Sequence, residues 1–357
     1  MKSKEALRKG NLVAEVLAGS WRNSGIPNLR MTEIELDAVT PLLYDSGTAA
    51  LGWHRLKQTP LRTSASAEML HQGYRLQSLQ SEIHEQKIAK VFRLFRESGI
   101  EGVLAKGWAA AGLYGDRTLR PYGDIDICVR PEHYKRAEEV LNQPDANDCW
   151  VDLHKHFSEI EDRTIDELFA RSRTVSLGKE QFRILGPEDQ LALSCIHLLK
   201  HGAWRPLWLC DVAVTIESLP RNFDWDVCLG NKQTRANWIV CVIGLAKHLL
   251  RANTDALPGR LNAKVPVWMI DNVLQQWHRP LAIHQPPMSH PIPVADLLRH
   301  PSELLEGLRQ RWPNPIIATI SVNGEFNNFP RLPYQMASCV SRISRLLFTS
   351  PNGVSEQ

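Results

Sequence analysis

Apolar residues recur at helical spacing through most of the first hundred positions, and then the period changes. Thr32 followed three residues later by Glu35 predicts a helix N-cap with its reciprocal capping box. Residues 60–66 read as a polar connector. Residues 67–98 carry one long helical pattern that closes on Val91-Phe92-Arg93-Leu94-Phe95, with Gly99 placed to cap it. Short apolar runs follow, too brief for helices. Residues 101–105 and 124–130 predict strands, separated by a short helix over 108–115 and a loop over 116–123 that contains Arg120-Pro121. Pro131 suits the first turn of a helix over 132–142. Residues 149–154 alternate apolar and polar and predict a third strand. Beyond it the pattern reads as helical again. Apolar helices are expected over 188–201, 206–218 and 234–251, then a Pro-rich stretch over 252–300, then an amphipathic basic helix from Tyr334 to Phe348. There is no internal repeat and no low-complexity tract.

A chain of 357 residues is long enough for two domains or one elaborated domain, and 43% hydrophobic residues can build a sizeable core. The net charge of +3 comes from 42 basic against 39 acidic residues, which gives no general case for nucleic acid or an anionic membrane as partner. The cysteine count is seven, an odd number, with no CxxC pair; these read as reduced core thiols of a cytoplasmic protein. The opening residues Met1-Lys2-Ser3-Lys4-Glu5 lack the apolar core of a signal peptide, and no apolar run approaches the roughly 20 residues that span a bilayer. The expectation is a soluble, cytoplasmic protein. The eleven tryptophans are assigned to packing rather than to base stacking.

Chemistry concentrates in Gly123-Asp124-Ile125-Asp126-Ile127. Side chains two apart on a strand share a face, so Asp124 and Asp126 point one way and Ile125 and Ile127 face the core. Two adjacent carboxylates repel unless a cation sits between them, and a hard divalent ion such as Mg²⁺ suits oxygen donors. The plainer alternative is a strand end whose acids face water. Asp152 on the next strand adds a third carboxylate and favours the metal reading. Lys106-Gly107 reads either as a phosphate cradle or as a simple strand-to-helix turn. Arg120 pairs with phosphate or with the aspartates. His154 shares a side with Asp152 and reads as a substrate contact or as a structural histidine. His197 and His201 have the i, i+4 spacing of a zinc pair, but residue 198 is Leu where a metalloprotease motif has Glu. Lys200 and His201 at that helix end can instead reach a nucleotide phosphate. Asp211 reads as an anchor between helices.

Taken in order, Leu104-x-Lys106-Gly107, Tyr114-Gly115-Asp116, Arg120-Pro121-x-Gly123-Asp124-Ile125-Asp126, Val151-Asp152-Leu153-His154, Pro187-Glu188-Asp189, Leu198-x-Lys200-His201-Gly202 and Trp208-x-x-Asp211 resemble the bacterial uncharacterised nucleotidyltransferase family. That family lies within the superfamily typified by DNA polymerase β. The resemblance covers about residues 65–250. It implies an α+β fold with a small mixed β-sheet core over residues 99–185, flanked by helical regions over 1–98 and 186–357. It also implies a two-metal site in which Asp124, Asp126 and Asp152 hold Mg²⁺ or Mn²⁺. Lys106, Gly107, Arg120, Lys200 and His201 would contact an NTP, whose nucleotide passes to an acceptor that is a small molecule, a peptide or protein, or RNA. Lys106-Gly107 departs from the Gly-Ser or Gly-Gly usual there, and the interval from Asp126 to Asp152 is short for the family. The rival expectation is a non-catalytic nucleotide- or partner-binding protein on a degenerate scaffold of the same kind.

Overall fold

Five strands make one mixed sheet: β1 (Gly102–Leu104), β2 (Ile125–Val129), β3 (Val151–His154), β4 (Arg173–Leu177) and β5 (Glu180–Ile184). Their spatial order in the computed structural model, which describes residues 2–261, 264–280 and 312–348, is β3-β2-β1-β5-β4. β1 pairs antiparallel with β2 and parallel with β5; β2 pairs parallel with β3; β4 and β5 form an antiparallel hairpin. The fold is the expected α+β, a small mixed sheet among extensive helices.

Helices α1 (Lys2–Leu17), α2 (Glu33–Asp45), α3 (Ala49–Leu56) and α4 (Ala65–Glu97) precede the sheet. α5 (Gly107–Ala111), α6 (Pro131–Leu141) and α7 (Ile165–Arg171) lie within it in sequence. After it come α8 (Pro187–Lys200), α9 (Pro206–Glu217), α10 (Trp225–Leu229), α11 (Gln233–Leu250), α12 (Val267–Trp277), α13 (Pro315–Ser321) and α14 (Leu332–Phe348). The capping box at Thr32–Glu35 forms as expected. α4 ends in a Schellman arrangement: Gly99 has φ +64°, its N–H donates to the Arg96 carbonyl, and the Ile100 N–H reaches back to the Phe95 carbonyl.

Alternation along β2 decides where the site lies. Ile125, Ile127 and Val129 enter a cluster with Phe92 and Phe95 of α4 and with Phe182 of β5. Cys128 points the other way, into the larger core shared by α1, α8, α9 and α11. Asp126 is two residues from Cys128 and faces the same helical side. α8 is pinned at its start by Asp189, which is fully buried and accepts from Arg163 at 2.7 Å and from Arg171 at 3.0 Å. α8 and α9 therefore lie across the sheet face that carries Asp126.

Residues 173–184 differ from expectation. The sequence reads as helical beyond residue 154, but these residues are the β4–β5 hairpin. Arg173-Thr-Val-Ser-Leu and Glu180-Gln-Phe-Arg-Ile each alternate over only five residues, with Gly178 at φ +59° in the turn. Their outer positions are polar, and only Phe182 and Ile184 are deeply buried, so the period-2 signal is weak. Phe182 stacks on Phe92 at 4.1 Å and ties the hairpin to α4. The helix expected over 108–115 is also shorter, since α5 stops at Ala111. Six cysteines are buried free thiols and Cys339 is half-buried. Among the described residues no helix is long and apolar enough to cross a membrane. Much of the Pro-rich 252–300 stretch lies outside the described residues.

Candidate active site

A cavity of about 690 Å³ opens between the sheet and the α8–α9 pair. Asp124, Asp126 and Asp152 line it from the sheet side, and His197, His201 and Arg205 line it from the helical side. That volume suits a ligand of nucleotide size.

Asp126 and Asp152 are register partners across the parallel β2–β3 pair, so their carboxylates leave the same sheet face side by side. His154, two residues on from Asp152, brings its Nε2 to 3.3 Å from Asp126 Oδ1 and 3.3 Å from Asp152 Oδ2. Asp126 is 3% exposed, whereas the Asp152 side chain is 59% exposed. One carboxylate is therefore set in the wall and the other stands at the mouth. Asp124 sits in a bend just before β2, is exposed, and fronts the same cavity.

Among the described residues Asp126, Asp152 and His154 form a group whose ligand atoms lie within 4.8 Å of one another. Two carboxylate oxygens fit Mg²⁺ or Mn²⁺, and the imidazole nitrogen favours Mn²⁺ over Mg²⁺. The donor set thus fits a divalent cation. Its third member is His154, while Asp124 lies outside that group. His197 and His201, with ring centroids 4.5 Å apart, belong to no such group among the described residues, and His197 Nδ1 is bonded to a carboxylate instead.

Lys106 stands where a free ammonium facing a triphosphate is expected, but its Nζ donates to Asp126 Oδ1 at 3.0 Å and lies 3.6 Å from Glu159 Oε1. It occupies φ +51°, unusual for a side chain with a Cβ and costing about 1–3 kcal/mol. Gly107 beside it packs closely against the loop before β2: a Cβ there would sit 3.3 Å from Tyr122 Cβ, a tight contact, and 3.5 Å from the Asp124 carbonyl oxygen, an ordinary one. Arg120 is buried and spent on Asp211, with Nη2 to Oδ2 at 2.8 Å and Nε to Oδ1 at 3.2 Å. The Tyr114 hydroxyl adds a 2.9 Å bond to the same carboxylate. Asp211 thus acts as an anchor, as expected, but it ties α9 to the loops before β2 through Arg120 and Tyr114 rather than to another helix. Lys200 donates to Ser158 Oγ at 2.8 Å, outside the cavity lining.

Glu159 and Arg205 are cavity residues that sequence reasoning missed; Glu159 lies closest to the acids. It is buried, bonds His197 Nδ1 at 3.1 Å, and completes a chain running Asp152–His154–Asp126–Lys106–Glu159–His197. A 3-10 turn at Ser158–Ile160 presents it, and a lone Glu between Ser and Ile carries no pattern that marks it. Burial pushes the Glu159 carboxyl up, but the His197 bond and the Lys106 charge outweigh burial and hold it well below the usual range. Asp126 balances the same way: burial raises it, and the His154 bond and Lys106 charge bring it below its ordinary value. Burial lowers Lys106, and the Asp126 and Glu159 charges more than restore it. His201 is pushed down to about 4 by burial and by His197.

A family model described as uncharacterised nucleotidyltransferase matches residues 32–147 and 143–251. No curated protein and no solved structure matches the chain. The match runs from the capping box at Thr32 to the end of α11, takes in the whole acid cluster and cavity, and covers more than half of the sequence. This chain therefore belongs to the uncharacterised nucleotidyltransferase family, within the DNA polymerase β-like superfamily.

Proposed function

We propose that the protein transfers a nucleoside monophosphate from an NTP to an acceptor hydroxyl or phosphate within this cavity. The observation that carries the reading is the Asp126–Asp152–His154 donor group opening onto a nucleotide-sized hollow in a chain of this family. In the reaction an acceptor oxygen attacks the α-phosphorus, the bond from that phosphorus to the β-phosphate bridging oxygen breaks, and pyrophosphate leaves. Asp152, exposed at the mouth, is placed to take the acceptor proton, with His154 holding its carboxylate. Asp126 is held ionised by Lys106 and His154, which keeps it a ligand rather than a proton donor at neutral pH. Asp124 adds negative charge at the rim. Bound here, one or two Mg²⁺ or Mn²⁺ ions would supply Lewis-acid stabilisation of the phosphate oxygens. Lys106, Gly107 and His201 front the nucleotide, Arg120 holds the wall through Asp211, and Lys200, bonded to Ser158 outside the cavity lining, has no part in the reading. The acceptor is a small molecule, a peptide or protein, or RNA. A labelled-NTP transfer screen against cell extract, in Mg²⁺ and in Mn²⁺, tests the proposal. Label transfer that survives in the Asp126→Asn/Asp152→Asn double variant would overturn it.

One observation favours a second reading. Lys106 already neutralises Asp126, at the position where the superfamily usually has a small residue pair. A scaffold in which an ammonium has replaced the catalytic cation would bind nucleotide, or a partner, without turnover. Calorimetry with each Mg²⁺–NTP followed by a pyrophosphate-release assay separates the two, since binding with no release across acceptors favours this second reading.

A further inference from the structure

Two arginines face the cavity, and they are not equivalent. Arg120 is cancelled by the bidentate Asp211. Arg205 has no carboxylate paired with it among the described residues. Its Nε donates to the Ser46 carbonyl at 2.9 Å, and its guanidinium lies 5.8 Å from the Trp208 ring centroid. The same backbone segment closes on it: Gly47 has φ +76°, and a Cβ there would come within 2.6 Å of Arg205 Nη2. Arg205 is also the N-cap residue of α9, so its backbone is fixed by the helix start. Burial, and then the neighbouring charge of Arg120, lower its pKa to about 10, and Asp211 and Asp124 only partly offset them. A half-buried guanidinium held in place on two sides, with its Nη groups free of carboxylate, is costly to maintain without an anion. Guanidinium geometry matches phosphate oxygens as a fork.

We infer that Arg205 is an oxyanion anchor of this cavity, binding a phosphate group of the substrate opposite the Asp126–Asp152–His154 group. As a statement about substrate the inference rests on the nucleotidyl-transfer reading above; as an anion site it stands without it. Two sources supply the same chemistry: the polyphosphate tail of the NTP, or a phosphate on the acceptor. The nucleotide tail fits better, because Arg205 lines the same cavity as Asp124, Asp126 and Asp152. That places the anchored group beside the acids rather than in a remote subsite.

The test uses full-length protein and sodium tripolyphosphate as probe, titrated by calorimetry without divalent metal. Wild-type protein is expected to bind it, Arg205→Gln to bind at least about tenfold more weakly, and Arg205→Lys to fall between, having charge but no fork. Thermal melts check that each variant folds; if Arg205→Gln does not, Arg205→Lys carries the comparison. Unchanged affinity in the variant that folds, or no binding by wild type, overturns the inference. Competition between tripolyphosphate and Mg²⁺–ATP assigns the anchor to the nucleotide tail, and simultaneous binding assigns it to the acceptor. Arg205-dependent tripolyphosphate binding in a protein that transfers no nucleotide keeps the anion site and removes the transferase reading. Transfer with wild-type KM in Arg205→Gln does the reverse.

Discussion

The Lys106 ammonium lies 3.0 Å from Asp126 Oδ1, so the deepest carboxylate of the cavity already has a cation beside it. Replacing Lys106 by Met leaves Asp126 and Glu159 as buried acids without their shared counter-charge. A loss of about 3–5 kcal/mol in a urea titration is expected. Mn²⁺ should then raise the Tm of Lys106→Met by more than that of wild type, because the ion no longer competes with an ammonium for Asp126. An equal or smaller shift would show that the two cations do not share this oxygen.

Asp126 and Asp152 differ in exposure, and their Asn variants should differ accordingly. Asp152→Asn sits at the cavity mouth and is expected to change stability by no more than about 0.5 kcal/mol. Asp126→Asn removes the charge opposite Lys106 and should cost on the order of 2 kcal/mol. Both should lose the thermal shift produced by Mn²⁺. Retention of that shift in either variant would place the metal elsewhere.

The Arg120–Asp211 pair is buried on both sides, and its loss should be structural first. Asp211→Asn strands a buried guanidinium and a Tyr114 hydroxyl, for an expected cost of about 3–5 kcal/mol. Arg120→Lys keeps the charge but not the fork and should cost less. Denaturant midpoints of the two variants and of wild type give the comparison: a wild-type midpoint for Arg120→Lys would mean the bidentate geometry contributes nothing, and a midpoint equal to that of Asp211→Asn would mean the retained charge contributes nothing without it.

Stability should decline in two steps as the solution is acidified. His201 has its pKa lowered from 6.5 to about 4, so the unfolded chain binds its proton first, and stability is lost as pH falls through that interval. Asp126 and Glu159 are held below 3.8 and 4.5, so their contribution is whole above those values and is lost as pH drops further. Unfolding free energies measured from pH 7.5 to 3.5 should show the upper decline reduced in His201→Gln, the remainder belonging to His54 and His84, whose pKa values burial also lowers. A pH profile identical to wild type would contradict the assignment.

What the sequence made legible follows from how local each signal is. The β2 acids were readable because alternation along one strand fixes which side chains share a face, and Cys128 and Ile127 obey it. Asp152 was readable as a strand acid, but its registry with Asp126 is set by pairing between strands and not by spacing. His154 carried two open readings until both carboxylates were in place. Glu159 and Arg205 are brought to the cavity by a 3-10 turn and a helix start, from stretches with no periodicity of their own. The engagement of Lys106 and Arg120 by carboxylates 20 and 91 residues away is likewise a tertiary fact. The β4–β5 hairpin escaped because five-residue polar-faced strands give too few alternations to stand against a helical background.

The cavity has one wall of strands and one of helices, contributed by separate stretches of the chain. Substitutions along α8 and α9 can retune which molecule is admitted while the strand acids stay untouched, and decay of those acids can silence turnover while admission persists. Under the proposed reading, admission and turnover in this chain therefore rest on separate segments, and the acid set by itself does not fix the acceptor.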